Sequence, residues 1–341
     1  MPETTAIAPA IPQTEAARPF RLLRSVLIVP ATSERFFQKA AAGPADCILL
    51  DLEDSVAPEQ KERARETAVA IINELDWGGK TLSVRVNGVE TRWNYRDMIA
   101  LAESCPRLDT ITLPMVNGPE DIRFADLLLA QVERATGRAN PIGIAGIVET
   151  ARGIAQVEAI AAASPRLEAL SFGAGDYAAS LNAPNQVIGE PDPAYAVLGP
   201  PNTQGQRQAH IGDQWHFAMA RLANGCRAHG VTPLDGVHAD FKNLDGCRQA
   251  ATRALALGYE GKNTIHPSQL PIANEVFSPT PEQQSWARDV LNTLQQAQAQ
   301  GQGATARGGE MFDLAHIKLA QNILAKTKQI AARQTATAAK K

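Results

Sequence analysis

Eight short apolar runs alternate with longer amphipathic stretches over most of the chain. Strands that alternate with helices in this way are typical of βα units around a parallel sheet. The predicted strands cover residues 25–29, 47–50, 81–86, 110–113, 142–148, 169–172, 231–234 and a last run that ends at Ile265. Eight such units in about 250 residues predict an α/β fold of the (β/α)8 TIM-barrel type. An open, doubly wound sheet is the alternative that the alternation leaves open.

The polar residues that follow the predicted strands favour the barrel. Nearly every run ends in side chains capable of acid–base or ligand chemistry, namely Asp51, Glu53, Asp54, Arg85, Asn87, Glu149, Asp176, Asp235 and His266. The strand ends of a barrel converge on one rim, where the active sites of such folds lie. The sequence therefore predicts one site at the C-terminal rim.

The chain divides into successive predicted segments. Residues 1–20 are expected to be flexible, residues 21–278 to form the catalytic barrel, residues 279–334 to form a C-terminal helical lid, and residues 335–341 to be a disordered tail. Glycines between the two helices of the lid predict a hinge, namely Gly301, Gly303, Gly308 and Gly309. The stretch 181–212, rich in Pro, Gly, Asn and Gln, is too long for an ordinary loop and is expected to be an ordered insertion near the site.

Composition excludes several classes of function. The net charge is -3, from 33 basic and 36 acidic residues without a long run of either sign, which argues against a nucleic-acid-binding protein. No apolar run approaches the roughly 18 residues of a membrane span, and residues 1–19 lack the pattern of a secretory signal. The 4 cysteines show neither metal-binding nor disulfide spacing, which is typical of a reducing compartment. We therefore expect a cytoplasmic enzyme with a small-molecule substrate and with no nucleic-acid or membrane partner.

Glu149 and Asp176 follow two neighbouring predicted strands and are the candidate metal ligands. Two carboxylates with water molecules are the usual protein contribution to a Mg2+ site, because this ion prefers oxygen ligands in octahedral geometry. Positions left to water are then open to oxygen atoms of a substrate. The alternative is that each carboxylate only caps the helix that follows it.

Arg85 lies in an otherwise apolar strand, and the carboxylates of Asp51, Glu53 and Asp54 follow the strand before it. A guanidinium is rarely buried without a partner, and its rigid fork suits a carboxylate, a thioester oxygen or an enolate. We expect the three carboxylates to orient Arg85 and metal-bound water. A purely structural ion pair of Arg85 with Asp51 or Glu53, and helix capping by Asp54, are the alternatives.

His266 stands at the end of the last predicted strand, directly before Pro267. The proline holds this histidine in an extended conformation, and a structural hydrogen bond to a neighbouring loop is as good an explanation as a role in catalysis. The other histidines show no ligand spacing, so a zinc site is not expected.

A series of motifs, taken together and in order, resembles the citrate lyase beta subunit-like family, the HpcH/HpaI aldolases. The motifs are Asp51-Leu-Glu-Asp-Ser-Val56, Val84-Arg-Val-Asn-Gly88, Ile147-Val-Glu-Thr150, Phe172-Gly-Ala-Gly-Asp176, Gly261-Lys262 with Ile265-His-Pro-Ser-Gln269, and Met311-Phe-Asp313. The resemblance runs from about Arg24 to Ile330 and is closest to the malyl-CoA and beta-methylmalyl-CoA lyase branch.

The resemblance implies a Mg2+-dependent lyase, with Mn2+ as an alternative ion, that reversibly cleaves (S)-malyl-CoA to acetyl-CoA and glyoxylate by retro-Claisen chemistry. Beta-methylmalyl-CoA, which gives propionyl-CoA, and citramalyl-CoA, which gives pyruvate, are further substrates of this kind. The resemblance also implies a homo-oligomer, a trimer or a hexamer, whose C-terminal lid closes over the active site of a neighbouring subunit.

Residue roles follow from the same resemblance. It implies that Glu149 and Asp176 bind the metal ion and that Arg85 faces the thioester oxygen. It further implies that Asp313, on the lid, is the catalytic acid or base.

Three residues are the candidates for contacts with the CoA part of the substrate. Lys39 matches a position of the family, Arg35 is a basic residue close to it, and His266 belongs to one of the matching motifs.

Several positions differ from the family pattern. Ala31 and Thr32 follow Pro30 where the family has a glycine, Met115 replaces a common lysine, and residues 237–240 read Val-His-Ala-Asp. Because these positions lie at or near the rim, the identity of the substrate stays open. A malyl-CoA thioesterase on the same scaffold and a citrate lyase beta-type subunit that works with an acyl carrier are the alternatives.

Overall fold

The eight predicted strands form a closed parallel barrel. The structure is a computed structural model that describes residues 19, 21–184, 188–299, 305–307 and 310–338. Its first ten strands are β1 (Ser25–Pro30), β2 (Cys47–Asp51), β3 (Thr81–Arg85), β4 (Thr110–Leu113), β5 (Gly143–Val148), β6 (Leu167–Phe172), β7 (Ala196–Pro201), β8 (Arg207–Ile211), β9 (Thr232–Asp235) and β10 (Gly261–Thr264). All of them except β7 and β8 belong to the barrel, and β10 pairs with β1 to close it. This closure confirms the (β/α)8 barrel and excludes the open doubly wound sheet.

Helices follow the barrel strands and cover them on the outside. They are α1 (Glu34–Ala42), α2 (Lys61–Glu74), α3 (Asn94–Ser104), α4 (Pro119–Thr136), α5 (Ala151–Ala155), α6 (Val157–Ala161), α7 (Ala174–Ser180), α8 (His216–Ala228), α9 (Leu244–Ala256) and α10 (Leu270–Val276). Short 3-10 turns at Pro58–Gln60 and Pro267–Gln269 precede α2 and α10.

Helix α4 illustrates how the sequence determines these elements. Its buried face includes Ile122 and Leu129, which are two turns apart on one side of the helix, as an amphipathic helix requires. At the start, the carboxylate of Asp121 accepts a hydrogen bond from the backbone N–H of Gly118 at 3.1 Å. At the end, Gly137 adopts the left-handed conformation, with a φ of 66°, and terminates the helix.

Backbone pairing brings the ends of neighbouring strands to one level. Pro30 pairs with Asp51, and Asp51 pairs with Arg85, across β1, β2 and β3. Glu149 and Asp176 follow β5 and β6, which are also adjacent. The strand-end residues predicted for the site therefore lie on the same rim, as a parallel barrel requires.

Ion pairs close the opposite end of the barrel. Arg21 reaches Asp109 at 3.0 Å and also pairs with Glu168. Arg24 forms a bidentate pair with Asp46, with distances of 2.8 Å and 2.9 Å. Asp46 is fully buried, so its charge depends on the neighbouring guanidinium groups.

The predicted insertion is ordered in the residues that the structure describes, which leave out 185–187. Strands β7 and β8 form an exposed antiparallel hairpin. At the base of the insertion, the carbonyl oxygen of Glu190 accepts a hydrogen bond from the indole N–H of Trp215 at 3.2 Å. The carboxylate of Glu190 accepts another from Asn243, at 2.7 Å, in the loop after β9. The insertion is thereby attached to the rim side of the barrel.

The C-terminal residues form a separate helical unit with its own small core. Helix α11 (Pro281–Ala299) packs against α12 (Leu314–Ala338), and the short strands β11 (Thr305–Arg307) and β12 (Glu310–Phe312) form a hairpin between them. The core of this unit consists of Ala287, Val290, Leu294, Phe312 and Ala320. The C-terminal extension is thus helical, as predicted.

Two of the predicted segments lie partly or wholly outside the described residues, and a third differs from the structure. The glycines of the predicted hinge lie outside the described residues, as does the N-terminal segment except for Pro19. Residues 335–338 belong to helix α12, so the helix extends into the stretch predicted as a tail.

Both ends of the C-terminal unit meet the barrel at the N-terminal ends of the strands. Before α11, the hydroxyl of Ser278 accepts a hydrogen bond from Arg24 at 2.9 Å. Near the end of α12, Arg333 donates to the carbonyl oxygen of Ala45 at 2.8 Å and lies 3.5 Å from Asp46. The unit is therefore rooted on the face opposite the rim.

Two expectations from composition can be compared with the structure. All four cysteines are buried, and none of them forms a disulfide bond. Within the described part of the chain, no helix has both the length and the apolar character needed to cross a membrane.

Asp46→Ala should destabilise the protein by about 3–5 kcal/mol, because it leaves the buried guanidinium of Arg24 without its partner and removes the contact of Arg333. The measurement is urea-induced unfolding followed by circular dichroism. Glu120→Ala is the control, since its pair with Arg152 is exposed on both sides and should contribute less than about 1 kcal/mol. Equal losses for the two substitutions would contradict the structural role of Asp46.

Candidate active site

Arg85 lies at the end of β3 and is surrounded by carboxylates. Its Nε and Nη2 atoms donate to the two oxygens of Asp51 at 2.6 Å and 2.7 Å. Its Nη1 atom lies 3.0 Å from Glu53 and 3.1 Å from Asp54. Asp51 is fully buried, and Arg85 is buried almost as completely. The predicted cluster is therefore assembled, and the ion pair considered as its alternative is part of it.

The outer N–H of Nη2 of Arg85 remains for a ligand. Asp51 accepts two of the five N–H donors of the guanidinium and Asp54 accepts a third, while Glu53 is an ion-pair partner 3.0 Å from Nη1. Among the described residues, no acceptor contacts the second N–H of Nη2. Because the bidentate bond to Asp51 fixes the plane of the guanidinium, this donor has a defined direction.

The pKa values in this cluster follow from burial and from the guanidinium. Burial alone would raise the pKa of Asp51, but the hydrogen bonds and the charge of Arg85 lower it below its usual value. Burial raises the pKa of Glu53 to about 7 against the opposing effect of Arg85, and the neighbouring Asp54 adds to the rise. Asp51 is thus the anionic partner of Arg85, while Glu53 titrates near neutral pH.

Lys61 fixes the turn that carries these carboxylates. Its buried ammonium group donates to the carbonyl oxygens of Leu52 at 2.9 Å and of Glu53 at 2.7 Å. Lys61 was not among the predicted site residues, although its position carried a signal. It continues the buried stripe of Ala64 and Ala68 on α2, and a lysine on the apolar face of a helix needs acceptors there.

Glu149 directly follows β5 and is buried between the ends of β4 and β6. Its Oε1 atom accepts a hydrogen bond from the backbone N–H of Met115 at 2.8 Å. On the other side, Gly173 comes so close that a Cβ atom there would lie 2.4 Å from Oε2 of Glu149. Burial, reinforced by the negative charge of Asp176, raises the pKa of Glu149 to about 8. The charge of Arg85 lowers this pKa but does not offset the effect of burial.

Met115 has a backbone conformation that is rare for residues other than glycine. Its φ is 52°, in the left-handed region. Such conformations cost about 1–3 kcal/mol and are concentrated at functional sites. Here the conformation accompanies the hydrogen bond that Met115 donates to Glu149.

Neither Glu149 nor Asp176 caps a helix. Thr150 caps α5, because its side chain accepts a hydrogen bond from the backbone N–H of Gly153 at 2.9 Å. Asp176 lies in the first turn of α7, which begins after Gly173 without a side-chain cap. The capping alternative is therefore wrong for both residues. They lie close enough for the charge of Asp176 to act on Glu149.

The residues present fit a divalent cation. The negative charges of Asp176 and Glu53 both act on Glu149, and a buried carboxylate with a raised pKa is stabilised as an anion by a bound cation. In the described residues, no three His, Cys, Asp or Glu side chains are arranged to hold a metal ion by themselves. Two carboxylates are sufficient for Mg2+, because this ion keeps several waters and takes further oxygen ligands from its substrate.

Asp313 lies in the C-terminal unit, directly before α12. One of its carboxylate oxygens is 2.8 Å from Nδ1 of His316, and the ring of His316 packs against Phe312 and Trp286. The Asp313 side chain is 50% exposed. Unlike the other predicted metal and catalytic residues, Asp313 thus belongs to this unit and not to the rim cluster. His316 was not predicted, although its spacing of three residues from Asp313 at a helix start is a recognisable signal.

The candidates for CoA contacts lie at separate places. Arg35 stands in the first turn of α1, next to the rim, and is exposed. Lys39 stands in the last turn of the same helix, farther from the rim, and is also exposed. His266 accepts a hydrogen bond from the backbone N–H of Ser268 at 3.2 Å, and its ring stacks on Phe241 at 4.7 Å. The side-chain hydrogen bond of His266 thus lies within its own turn, and its contact with a neighbouring loop is the stacking on Phe241.

Asp235, another of the predicted rim residues, forms a buried ion pair. Lys262 lies 2.6 Å from its carboxylate and donates to the carbonyl oxygen of Gly236 at 2.8 Å. Gly236 has no room for a side chain, since a Cβ atom there would lie 2.2 Å from the carbonyl oxygen of Phe172. These contacts join β6, β9 and β10 and support a structural role for Asp235.

Several known proteins are similar to this chain over most of its length. The profile of the HpcH/HpaI aldolase/citrate lyase family matches residues 24–267. An L-malyl-CoA/beta-methylmalyl-CoA lyase of Cereibacter sphaeroides is 44% identical over 315 residues, which cover 92% of this chain and 97% of the relative. A (3S)-malyl-CoA thioesterase of the same species is 34% identical, with 93% and 97% of the two chains covered. The structure of CitE from Mycobacterium tuberculosis in complex with magnesium, acetoacetate and coenzyme A is similar with a TM-score of 0.66 and 29% identity, over 91% and 98% of the chains.

In EDTA, Glu149→Gln should stabilise the protein at high pH. The wild-type carboxyl group has a pKa of about 8 in the folded chain and about 4.5 after unfolding. Its contribution to stability is therefore complete below pH 4.5 and is lost as the pH rises through about 8. Because the amide cannot ionise, we expect the variant to exceed the wild type in free energy of unfolding at pH 9 and to approach it near pH 5, measured by urea titration. Glu120→Gln is the exposed control, and parallel pH profiles of wild type and Glu149→Gln would contradict the raised pKa.

Proposed function

The chain belongs to the HpcH/HpaI aldolase/citrate lyase family, and on this basis we propose that it is a Mg2+-dependent carbon–carbon lyase acting on (S)-malyl-CoA. The products are acetyl-CoA and glyoxylate, and the reaction is reversible. One observation carries the proposal: the buried carboxylate of Glu149, whose pKa is raised, lies on the same rim as the fixed N–H donor of Arg85. The 44% identical malyl-CoA/beta-methylmalyl-CoA lyase supports the class of substrate, with beta-methylmalyl-CoA as a second candidate.

Glu149 and Asp176 would hold the Mg2+ ion, which when bound would polarise the hydroxyl and carboxylate oxygens of the malyl group. Glu149 itself is buried, so its carboxylate is largely shielded from bulk water. Its hydrogen bond from Met115 and its close contact with Gly173 fix the carboxylate in position before the substrate arrives.

Arg85 would stabilise the charge that develops on the thioester oxygen. As the hydroxyl group of the malyl part gives its proton to solvent and becomes the aldehyde of glyoxylate, the bond between the hydroxyl-bearing carbon and the methylene carbon breaks. The electrons of that bond pass to the acetyl-CoA fragment as an enolate. The enolate oxygen accepts the remaining N–H of Arg85, and Asp51 keeps the guanidinium from reorganising during the reaction.

Asp313 would complete the reaction by protonating the methylene carbon of the enolate. In the direction of condensation, the same carboxylate would remove a proton from the methyl group of acetyl-CoA. His316, at 2.8 Å, orients the carboxylate for this transfer.

The position of the C-terminal unit supports delivery of Asp313 to a second subunit. The unit is rooted on the face opposite the rim through Ser278 and Arg333. Asp313 precedes Arg333 by about 20 residues, which along an α-helix corresponds to roughly 30 Å. We therefore propose that the lid closes over the rim of a neighbouring subunit in a homotrimer or homohexamer.

Arg35, Lys39 and His266 are the proposed contacts of CoA. The two basic side chains on α1 would meet its phosphates, and the ring of His266 stacked on Phe241 offers a flat surface for its base. The cytoplasm is the proposed location, and the free, buried cysteines support it.

A malyl-CoA thioesterase is the second candidate, supported by the 34% identical relative of that name. On the same scaffold, water would attack the thioester carbonyl carbon and release CoA, while the carbon–carbon bond stays intact, so the products would be malate and CoA. The resemblance to CitE keeps a citrate lyase beta-type subunit, working with an acyl carrier, as a further alternative.

Purified protein incubated with Mg2+ and (S)-malyl-CoA should release glyoxylate, which phenylhydrazine traps as a coloured product. Glu149→Gln and Asp176→Asn should reduce this release to background, since each removes a proposed metal ligand, whereas Glu120→Gln should retain it. Release of malate and CoA without glyoxylate would favour the thioesterase. Undiminished turnover by EDTA-treated wild type would contradict the metal requirement.

Asp313→Asn should lower the rate of cleavage on the order of 100-fold, because it removes the group that transfers the proton. A mixture of the Asp313→Asn and Glu149→Gln proteins, exchanged between subunits by mild dissociation and reassembly, should recover part of the activity. In such a mixture an intact lid meets an intact rim of another chain. If the mixture stays as inactive as its components, the lid acts within its own subunit.

A further inference from the structure

A fully buried histidine lies between the barrel and the base of the insertion, residues 188–190. The side chain of His238, in the loop after β9, has no exposed surface. Among the described residues, none makes a hydrogen bond of normal geometry with either of its ring nitrogens. Buried polar groups nearly always have such a partner. The reaction described above gives His238 no role, so its buried imidazole requires another explanation.

The backbone of the insertion packs directly on this ring. Gly189 comes so close that a Cβ atom there would lie 2.8 Å from the carbonyl oxygen of Val237 and 3.3 Å from Nδ1 of His238. The backbone N–H of Ala239 donates to the carbonyl oxygen of Ile188 at 3.1 Å. The base of the insertion therefore closes over the ring and separates it from solvent.

Glu190 lies next to the ring but does not form an ion pair of good geometry with it. Its Oε1 atom is 3.5 Å from Nε2 of His238. The same oxygen accepts a hydrogen bond from the side chain of Asn243 at 2.7 Å, which is the shorter contact. The arrangement therefore suits an uncharged ring.

The balance of charges around the ring also favours its uncharged form. Lys262, on β10, brings a positive charge close to the imidazole. Burial and this charge lower the pKa of His238 below its usual value. The negative charges of Glu190 and Asp240, and a backbone group of Asn243, oppose the change only in part. Since histidine normally changes its charge between about pH 5 and pH 8, the ring takes up a proton only in acid.

The base of the insertion also contacts the helix that carries a proposed metal ligand. A Cβ atom on Gly175, in α7, would lie 3.0 Å from Cδ1 of Ile188, so this side chain packs directly on the backbone of the helix. Gly175 immediately precedes Asp176. Movement of the base of the insertion would thus remove a packing contact beside Asp176.

We propose that His238 is an acid-sensitive switch that controls the attachment of the insertion to the barrel. While the ring is uncharged, residues 188–190 stay packed on His238 and on α7. A protonated ring needs water or an acceptor, and it reaches water only when residues 188–190 move away. The switch goes beyond the proposed function, and only its effect on turnover rests on that function.

The direction of the pH effect follows from proton binding. In the open form the ring is in water and has its usual pKa of 6.5, whereas in the closed form the pKa is lower. The open form therefore binds more protons in acid. The contribution of the uncharged ring to the closed form is complete above pH 6.5 and is lost as the pH falls through the lower pKa. A stabilising ion pair of His238 with Glu190 would have the opposite effect.

Hydrogen–deuterium exchange of the Ala239 amide tests the switch, because this amide is bonded to Ile188 only in the closed form. Wild type and His238→Phe are compared at pH 7 and at pH 5.5. The ratio of the two exchange rates at one pH is independent of the intrinsic effect of pH on exchange. We expect the ratio of wild type to variant to rise by about three-fold or more from pH 7 to pH 5.5.

Three further variants make the test specific. His238→Gln is also uncharged and should behave as His238→Phe does, even if the larger ring disturbs the packing. His210→Phe is the matched control, because it removes an exposed histidine from β8 of the same insertion and should retain the acid response of the wild type. Glu190→Gln keeps the acceptor for Asn243 but removes a charge that favours the protonated ring, so it should enlarge the acid response.

Turnover gives a second readout, which rests on the proposed function. From pH 7 to pH 5.5, the release of glyoxylate by the wild type should fall by about three-fold more than the release by His238→Phe, because opening removes the contact of Ile188 beside Asp176. Protonation of Glu149 affects both proteins alike and cancels in the comparison.

The outcomes that overturn the switch differ from those that overturn the proposed function. An exchange ratio at Ala239 that is the same at both pH values would overturn the switch. Slower exchange of the wild type in acid would assign His238 and Glu190 to a stabilising ion pair and would overturn it as well. If the wild type releases no glyoxylate at any pH, the proposed function fails, while the exchange measurement still decides on the switch.

Discussion

The bidentate bond between Arg85 and Asp51 is the interaction on which the rim depends. The two residues pair in register at the ends of β3 and β2, and both are buried. A buried ion pair is stable only when its geometry compensates for the loss of hydration, and the two bonds of 2.6 Å and 2.7 Å provide that geometry. Glu53 and Asp54 then gather around the same guanidinium, and Lys61 holds the turn between them. The bond to Asp51 sets the direction of the remaining N–H donor of Arg85. The carboxylates of Glu53 and Asp54 around the same guanidinium give the rim its surplus of negative charge.

The fold and most of the rim cluster could be predicted because both depend on local patterns in the amino-acid sequence. Strands buried on both faces appear as apolar runs, and parallel strands bring their ends together, so Arg85 and Glu149 could be assigned to one rim from their positions alone. The predicted strands agree with the observed ones within one or two residues at most ends, for example at Thr232–Asp235. Strands β7 and β8 were not predicted, because exposed strands in the insertion lack the alternation of apolar residues that marks a half-buried sheet.

Features that depend on tertiary contacts could not be predicted in the same way. The left-handed backbone of Met115 is not visible in its residue type, since it follows from the loop between β4 and α4 and from the carboxylate of Glu149. The carbonyl acceptors of Lys61 come from a different element of the chain. Asp313 could be named from its motif, but its position relative to the barrel depends on where Arg333 docks.

The C-terminal unit is rooted on one face of the barrel, whereas the rim that it is proposed to cover lies on the opposite face of another copy. Such a contact joins two different surfaces head to tail, and its repetition either closes into a ring or continues as an open filament. In an open filament, the rim of the subunit at one end is not covered, and the lid of the subunit at the other end covers no rim. Under this proposal, only a closed ring gives every copy both a lid to offer and a lid to receive, so rotational symmetry would be a condition for full activity and not merely a way to bury surface.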